Sequence, residues 1–212
     1  MASLRVLITA FSAFPGAPVN PTLAIARGVA GKHARRFARM GVELHTAVLP
    51  VAYGGAQARV VDLIARTRPD IVLHLGLAGR RKQLTFETRA RNRLSLLTHD
   101  AQRRRAGRML IEPGGPAALR SRAPVARCVE AIARAGADCA PSIDAGDYLC
   151  NVTLHAALRS NAPLAAFLHV PRPRRLRARR GRARGATLDR MVEGVAAAIF
   201  VMAVERRRQR TA

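Results

Sequence analysis

The sequence predicts an α/β fold, a three-layer α/β/α sandwich in which helices cover both faces of a largely parallel, twisted sheet. Short apolar runs rich in β-branched residues alternate along the chain with helical segments, and this alternation is typical of parallel sheets. Hydrophobic residues make up 49% of the 212 residues, enough to fill a substantial core. A chain of this length suits one α/β domain, so we expect residues 1–212 to form a single domain.

The first half of the chain predicts three strands and two helices. Residues 4–9 are an apolar run and predict a buried strand. Asn20 and Pro21 predict the start of a helix that reaches about Met40, because Asn is a good cap and Pro suits the first helical position. The remaining elements are a strand at 42–51, an amphipathic helix at 55–68 and a strand at 71–75.

The second half continues the alternation after a less regular middle segment. Residues 84–92 predict a strand, although Arg89, Arg91 and Arg93 alternate outward. The elements that follow are a polar loop at 98–114, a helix at 124–135, a strand at 138–142, a helix at 148–160, a strand at 164–170, an arginine-rich loop at 172–185 and a C-terminal helix at 187–207. Sites in such sheets form at the carboxyl ends of strands, so the loops after residues 9, 75 and 170 should meet.

The chain is strongly basic, with a formal net charge of +24. Nucleic acid is nevertheless not the favoured partner: only two of the 37 basic residues are lysines, and aromatic residues for base stacking are 4%, with no Trp. We interpret the arginine excess mainly as compositional bias. Residues 172–184, of which eight are Arg, leave a binder of nucleic acid or anionic surfaces as an alternative.

The lack of membrane and secretory segments and the number of cysteines indicate a protein of a reducing compartment. No apolar stretch is long enough to span a membrane, and the N-terminus lacks the pattern of a secretory signal. We therefore expect a cytoplasmic protein without a membrane partner. The three cysteines, Cys128, Cys139 and Cys150, are odd in number and form no C-x-x-C pair, which argues against a disulfide framework and a zinc site.

Cys150 is the candidate nucleophile. The segment Asp144-Ala-Gly-Asp-Tyr-Leu-Cys150-Asn places a thiol in the first turn of a helix, after a glycine turn. Helix N-termini carry partial positive charge and free N–H groups, which favour a thiolate and can hold an oxyanion. The alternative is a small buried cysteine that packs the helix on the sheet.

A cysteine nucleophile needs a base and a group that orients the base. His169 is the candidate base because it ends an apolar strand, where α/β sheets keep their chemistry; a structural histidine is the alternative. His155 lies five residues after Cys150 on the same helix and faces away. Glu87 is the candidate third member, since a carboxylate among apolar positions needs a partner; pairing with an arginine is the alternative.

These segments together resemble the pyroglutamyl-peptidase I family, also called pyrrolidone-carboxylate peptidases, over nearly the whole chain and in the same order. The resemblance lies in residues 6–16, Asn20-Pro21, 71–78 with Arg81, 113–118, Tyr148-Leu-Cys150-Asn151 and Phe167-Leu-His169-Val-Pro. It implies removal of N-terminal pyroglutamyl residues from peptides by a Cys150, His169 and Glu87 triad without metal or cofactor. It also implies a homo-oligomer, a tetramer or a dimer, and a lactam pocket lined by Phe11, Phe14, Leu77 and Leu149.

Several positions depart from the family pattern. The first loop has Ala10, Ser12 and Ala13 where the family has glycine, an acidic residue and proline, and Thr88 stands for the family's arginine. The apolar positions that follow are Arg89 and Arg91 here. Asp147 adds a negative charge near the thiol, which opposes thiolate formation. These departures motivate a second alternative, a catalytically impaired relative that binds peptides or lactams.

Overall fold

The computed structural model describes residues 3–174 and 186–211. The strands are β1 (Leu4–Phe11), β2 (Val42–Leu49), β3 (Ile71–Leu77), β4 (Leu84–Glu87), β5 (Arg89–Arg91), β6 (Ala118–Arg120), β7 (Cys139–Ser142) and β8 (Leu164–Val170). The helices are α1 (Pro21–Lys32), α2 (Ala34–Arg39), α3 (Gly55–Thr67), α4 (Val125–Arg134), α5 (Leu149–Arg159) and α6 (Leu188–Thr211). None of these helices is both long and apolar enough to cross a membrane.

A six-stranded sheet in the order β2-β1-β3-β8-β4-β7 forms the centre of the molecule. The first four strands in this order are parallel, whereas β4 is antiparallel to β8 and parallel to β7. The expected largely parallel sheet is therefore confirmed, with β4 and β7 running opposite to the rest. This reversal brings Thr85, near the start of β4, opposite His169 near the end of β8.

Helices cover both faces of the sheet, as the sequence predicts for a three-layer sandwich. Helices α1, α4 and α6 pack on the face that carries Val6, Ile8 and Leu73. Helices α3 and α5 pack on the other face, which carries Leu7, Val72 and Phe167. Since side chains alternate between faces along a strand, each strand contributes to both cores.

Two predicted elements are each divided in the structure. The helix expected at 21–40 is capped by Asn20, whose side chain accepts from Thr22 N at 3.2 Å, but it breaks at His33 into α1 and α2. The strand expected at 84–92 breaks at Thr88, whose N–H donates to Ser142 O at 2.7 Å. Beyond this point the chain leaves the main sheet, and β5 pairs with β6, a strand the sequence did not predict.

The C-terminal helix is longer than predicted. It spans Leu188–Thr211, whereas the sequence predicts 187–207. Its last turns are held at the amino edge of the sheet by the buried Asp70, whose Oδ1 pairs with Arg206 at 3.3 Å and with Arg210 at 2.6 Å. The predicted arginine-rich loop 172–185 lies outside the described residues from position 175 onward.

Candidate active site

Cys150 lies in the first turn of α5, as the sequence predicts. The preceding residues, 143–148, form a turn in which Gly146 has a φ of +82°, a conformation that glycine adopts without strain. The thiol is partly buried and packs against the hydrophobic cluster of the α3 and α5 face. The first N–H groups of α5 have no intrahelical acceptor, so they are free to bind an anionic oxygen beside this thiol.

His169 lies on the same face of the sheet, near the end of β8, and is 5% exposed. Its Nδ1 lies 2.8 Å from Oε1 of Glu87, and the Cys150 thiol lies close enough for its charge to act on the imidazole. The ring of Phe167, two residues earlier, packs against the imidazole with centroids 4.7 Å apart. Because Nδ1 is engaged by Glu87, the other ring nitrogen, Nε2, is the one left for the thiol.

Glu87 ends β4 and is completely buried. Its Oε1 accepts from His169 and also from Arg81 Nη1, at 2.7 Å. Arg81 in turn donates to Thr85 and, through Nη2, to the backbone oxygen of Asp144 at 2.8 Å. Glu87 therefore has both partners at once, because one carboxylate oxygen accepts from an arginine and from the imidazole.

The charges of these groups support one another. Burial of the ring opposes its protonation, but the negative charge and hydrogen bond of Cys150, with those of Glu87, raise the pKa of His169 to about 9. Burial likewise opposes ionisation of Glu87, yet the hydrogen bond and charge of His169, with the hydrogen bond of Arg81, hold the pKa of this carboxyl below its usual range. The site therefore favours a protonated imidazole beside an ionised Glu87 near neutral pH.

The other cysteines and histidines lie elsewhere. Cys128 is buried in the middle of α4 and Cys139 lies in β7, and burial raises the pKa of each thiol to about 12. His74 is fully buried in β3, where Thr9 Oγ1 bonds its Nδ1 at 2.6 Å and burial lowers its pKa to about 3. His155 is buried on α5 among residues that line a separate surface cleft.

Three of the four predicted pocket residues belong to, or pack against, the hydrophobic cluster that Cys150 also contacts. Phe11 and Leu149 are buried in the same hydrophobic cluster as Phe167, and Phe14 packs against that cluster, as Cys150 does. Leu77 is not part of it: this residue ends β3 opposite Val170 and, by alternation along the strand, follows Leu73 and Leu75 to the opposite face of the sheet.

The sequence did not identify Gly76 and Phe167 as members of this site. Gly76 pairs with His169 across β3 and β8. A Cβ at this position would lie 2.5 Å from a ring carbon of Phe167 and 3.0 Å from Cys150 Sγ, so only glycine leaves room for both groups. A glycine inside an otherwise continuous buried strand is a signal of such close approach.

A thiol beside an imidazole that is paired with a carboxylate, on an α/β sandwich, is the arrangement of cysteine peptidases and related acyl-transfer enzymes. In the part of the chain that the structure describes, no group of three or more His, Cys, Asp or Glu side chains could hold a metal ion.

Comparison with known proteins specifies the class further. A sequence model described as pyroglutamyl peptidase matches residues 4–205. The pyrrolidone-carboxylate peptidase of Pyrococcus furiosus is 31% identical over 79% of this chain and 81% of its own, and that of Streptomyces coelicolor 38% over 79% and 77%. The crystal structure of pyroglutamyl peptidase I from Bacillus amyloliquefaciens superposes with a TM-score of 0.83 at 25% identity, covering 96% of this chain and 98% of the other. The chain belongs to the pyroglutamyl peptidase family.

Proposed function

We propose that this chain is a cysteine peptidase that removes an N-terminal pyroglutamyl residue from peptides by thiol acyl transfer. Cys150 is the nucleophile, His169 the general acid and base, and Glu87 the group that orients the imidazole. The observation that carries the proposal is the hydrogen bond between Glu87 and His169 beside the Cys150 thiol, in a chain whose relatives are named for this activity.

In the first half of the reaction, Cys150 Sγ attacks the pyroglutamyl carbonyl carbon as a thiolate. The carbonyl oxygen becomes negative and is stabilised by N–H groups of the first turn of α5. The imidazolium of His169 then donates its Nε2 proton to the leaving amine, the C–N bond breaks and a thioester remains. In the second half, His169 takes a proton from water, which cleaves the thioester and releases pyroglutamate and the thiol group.

Glu87 has two roles in this scheme. Its Oε1 accepts from Nδ1 and so turns Nε2 towards the thiol. Its charge also stabilises the imidazolium, which is the acid needed when the amine leaves. The raised pKa of His169, about 9, supports a proton donor that is already charged at neutral pH.

Specificity for the lactam is assigned to the apolar surface beside the thiol. Phe11, Phe14 and Leu149 line it in this proposal, and a small neutral ring gains from leaving water for such a surface. The ring N–H and carbonyl need backbone partners there, since an unpaired buried polar group is costly. A role for Leu77 stays a prediction from the family resemblance.

Hydrolysis of a fluorogenic arylamide of pyroglutamate tests the proposal. The reduced protein should cleave this amide, Cys150→Ala should not, and the prolyl amide, which has a charged ring nitrogen and no lactam carbonyl, should stay intact. A folded protein with a reduced Cys150 that leaves the pyroglutamyl amide uncut would overturn the proposal. If it also bound 2-pyrrolidone, that result would favour the catalytically impaired relative.

Two finer expectations accompany this function. We propose that the chain assembles as a homo-oligomer, which sedimentation velocity can measure directly. A cytoplasmic location stays a prediction from the sequence, and fractionation of cells that express the protein tests it.

A further inference from the structure

Three arginines converge on the 143–148 turn, the segment that leads into the first turn of α5. Arg89 Nε donates to Ile143 O at 2.9 Å, and Arg91 Nη2 lies 2.7 Å from Asp144 Oδ1 and 3.5 Å from Gly146 O. Arg81 donates to Asp144 O from a third direction. Guanidinium groups from another part of the chain thus bind Ile143, Asp144 and Gly146 of this turn.

The backbone of β5 and of the residues just after it also hydrogen-bonds to the residue that follows the thiol. Asn151, the residue that follows Cys150, is completely buried. Its Oδ1 accepts from Arg91 N at 2.8 Å, and its Nδ2 donates to the backbone oxygens of Arg91 and Arg93 at 2.7 and 3.0 Å. The strand therefore contacts the chain on both sides of Cys150, with its side chains before the thiol and its backbone after it.

The first two residues of the turn need this support because little apolar burial fixes them. Ile143 is 64% exposed and Asp144 is also exposed, whereas Ala145 is buried and Tyr148 packs against the cluster of the α3 and α5 face. Gly146, in the left-handed region, restricts the backbone less than any other residue would. Within the turn itself, Gly146 N donates to Asp144 Oδ1 at 2.9 Å, so the carboxylate that Arg91 binds is also the group that shapes the turn.

We propose that Arg89 and Arg91 are positioning residues for Cys150, an inference that rests on the proposed function. By fixing the turn, they set where α5 begins, and therefore where the thiol and the first N–H groups of the helix lie relative to His169. Both positions are apolar in the family pattern that this sequence resembles. The arginine contacts to the turn are therefore a feature of this chain and not a requirement of the reaction.

The test compares removal of these side chains with a matched control from the same two-stranded sheet. Arg89→Leu and Arg91→Leu, alone and together, remove the contacts to the turn. Arg120→Leu is the control, because Arg120 lies directly opposite Arg89 in the pair of strands and carries the same charge. The measurements are kcat and KM for the pyroglutamyl arylamide, the rate of Cys150 alkylation by iodoacetamide from pH 5 to 9, and the melting temperature.

We expect the double variant to lose roughly 10- to 100-fold in kcat with little change in KM, since a displacement of about 1 Å can have an effect of that size. Its alkylation below pH 7 should slow in parallel, because a displaced thiol loses its contact with the imidazole. Arg120→Leu should keep both rates within about twofold, and Arg91→Lys, which retains the charge beside Asp144, should recover part of the loss.

A double variant with a lower melting temperature but unchanged kcat and alkylation profile would show a purely structural role and overturn the inference. If the double variant does not fold, Asp144→Asn tests the inference instead, because it removes the Arg91 ion pair and keeps the hydrogen bond to Gly146. Unchanged turnover and alkylation rates in Asp144→Asn would equally overturn the inference. If no form of the protein hydrolyses the arylamide, the proposed function fails, whereas the alkylation profiles still test the positioning of the thiol.

Discussion

Replacing Glu87 by glutamine separates the charge of the carboxylate from its shape. Oε1 of the native residue accepts from His169 Nδ1 at 2.8 Å and from Arg81 Nη1 at 2.7 Å, and an amide oxygen with two lone pairs can accept from the same two donors. The variant therefore keeps these acceptor positions and removes the negative charge beside the imidazolium. The loss of charge acts on His169.

The size of the effect follows from the burial of the pair. Two unit charges about 4 Å apart interact by about 4 kcal/mol at an effective dielectric constant of about 20. One pKa unit corresponds to about 1.4 kcal/mol, so the pKa of His169 should fall from about 9 by up to about 3 units. Loss of about 3–4 kcal/mol of support for the imidazolium corresponds to a decrease of about 10²- to 10³-fold in kcat.

The effect on stability should be much smaller. Arg81, whose partner loses its charge, is 31% exposed and keeps its hydrogen bonds to Thr85 and to Asp144 O. The cation is therefore partly solvated, and we expect a loss of about 1–2 kcal/mol rather than the 3–5 kcal/mol typical of a fully buried pair. For a chain of this size, that corresponds to a fall of about 2–8 °C in melting temperature.

The assay is the pH profile of pyroglutamyl arylamide hydrolysis, together with calorimetry. For the native protein, kcat/KM should fall as the pH rises through about 9, because His169 loses the proton that the leaving amine needs. In Glu87→Gln, this fall in kcat/KM should occur at lower pH. Cys150→Ala should abolish turnover, and the double variant should be no worse, because residues that act as one unit are not additive. A large stability loss would refute the reasoning if kcat per folded molecule and the pH at which kcat/KM falls were both unchanged.

Three further predictions concern neighbouring groups. Because burial lowers the pKa of His74 to about 3, stability should fall by up to about 1.4 kcal/mol per pH unit as the pH drops below about 6.5, and His74→Gln should lessen this slope in urea titrations at several pH values. Gly76→Ala should lower the melting temperature and the alkylation rate of Cys150, because the new methyl group meets Phe167; Gly31→Ala, which has open space, should do neither. Iodoacetamide should modify Cys150 faster than the other two cysteines, whose thiols are buried, and equal labelling would contradict an activated thiol.

Features that depend on local sequence were predictable. The Asn20 cap, the apolar strands and the start of α5 follow from residues adjacent in the chain, and each is present in the structure. The candidate thiol and imidazole were found in the same way, because a helix start and a strand end are local features. Their chemistry could thus be inferred before the elements that carry them were placed relative to one another.

Features that depend on distant partners were not predictable from local patterns. Nothing within residues 84–92 indicates that the chain changes sheets at Thr88, because this depends on Ser142 and on a three-residue strand at 118–120. The choice between an arginine and a histidine as the partner of Glu87 was open for the same reason. The structure shows that it was not a choice, since one oxygen accepts from both.

This shared oxygen connects the two halves of the site. Through His169 Nδ1 it orients the imidazole, and through Arg81 it reaches Asp144 O in the 143–148 turn that leads to Cys150. Two donors on one carboxylate oxygen make Glu87 a weaker base than a carboxylate with a single partner, so the proton stays on the imidazole rather than passing to Glu87. A neutral side chain at position 87 would loosen both connections at once. We therefore expect the charge of Glu87 to affect the position of the Cys150 thiol as well as the protonation of His169.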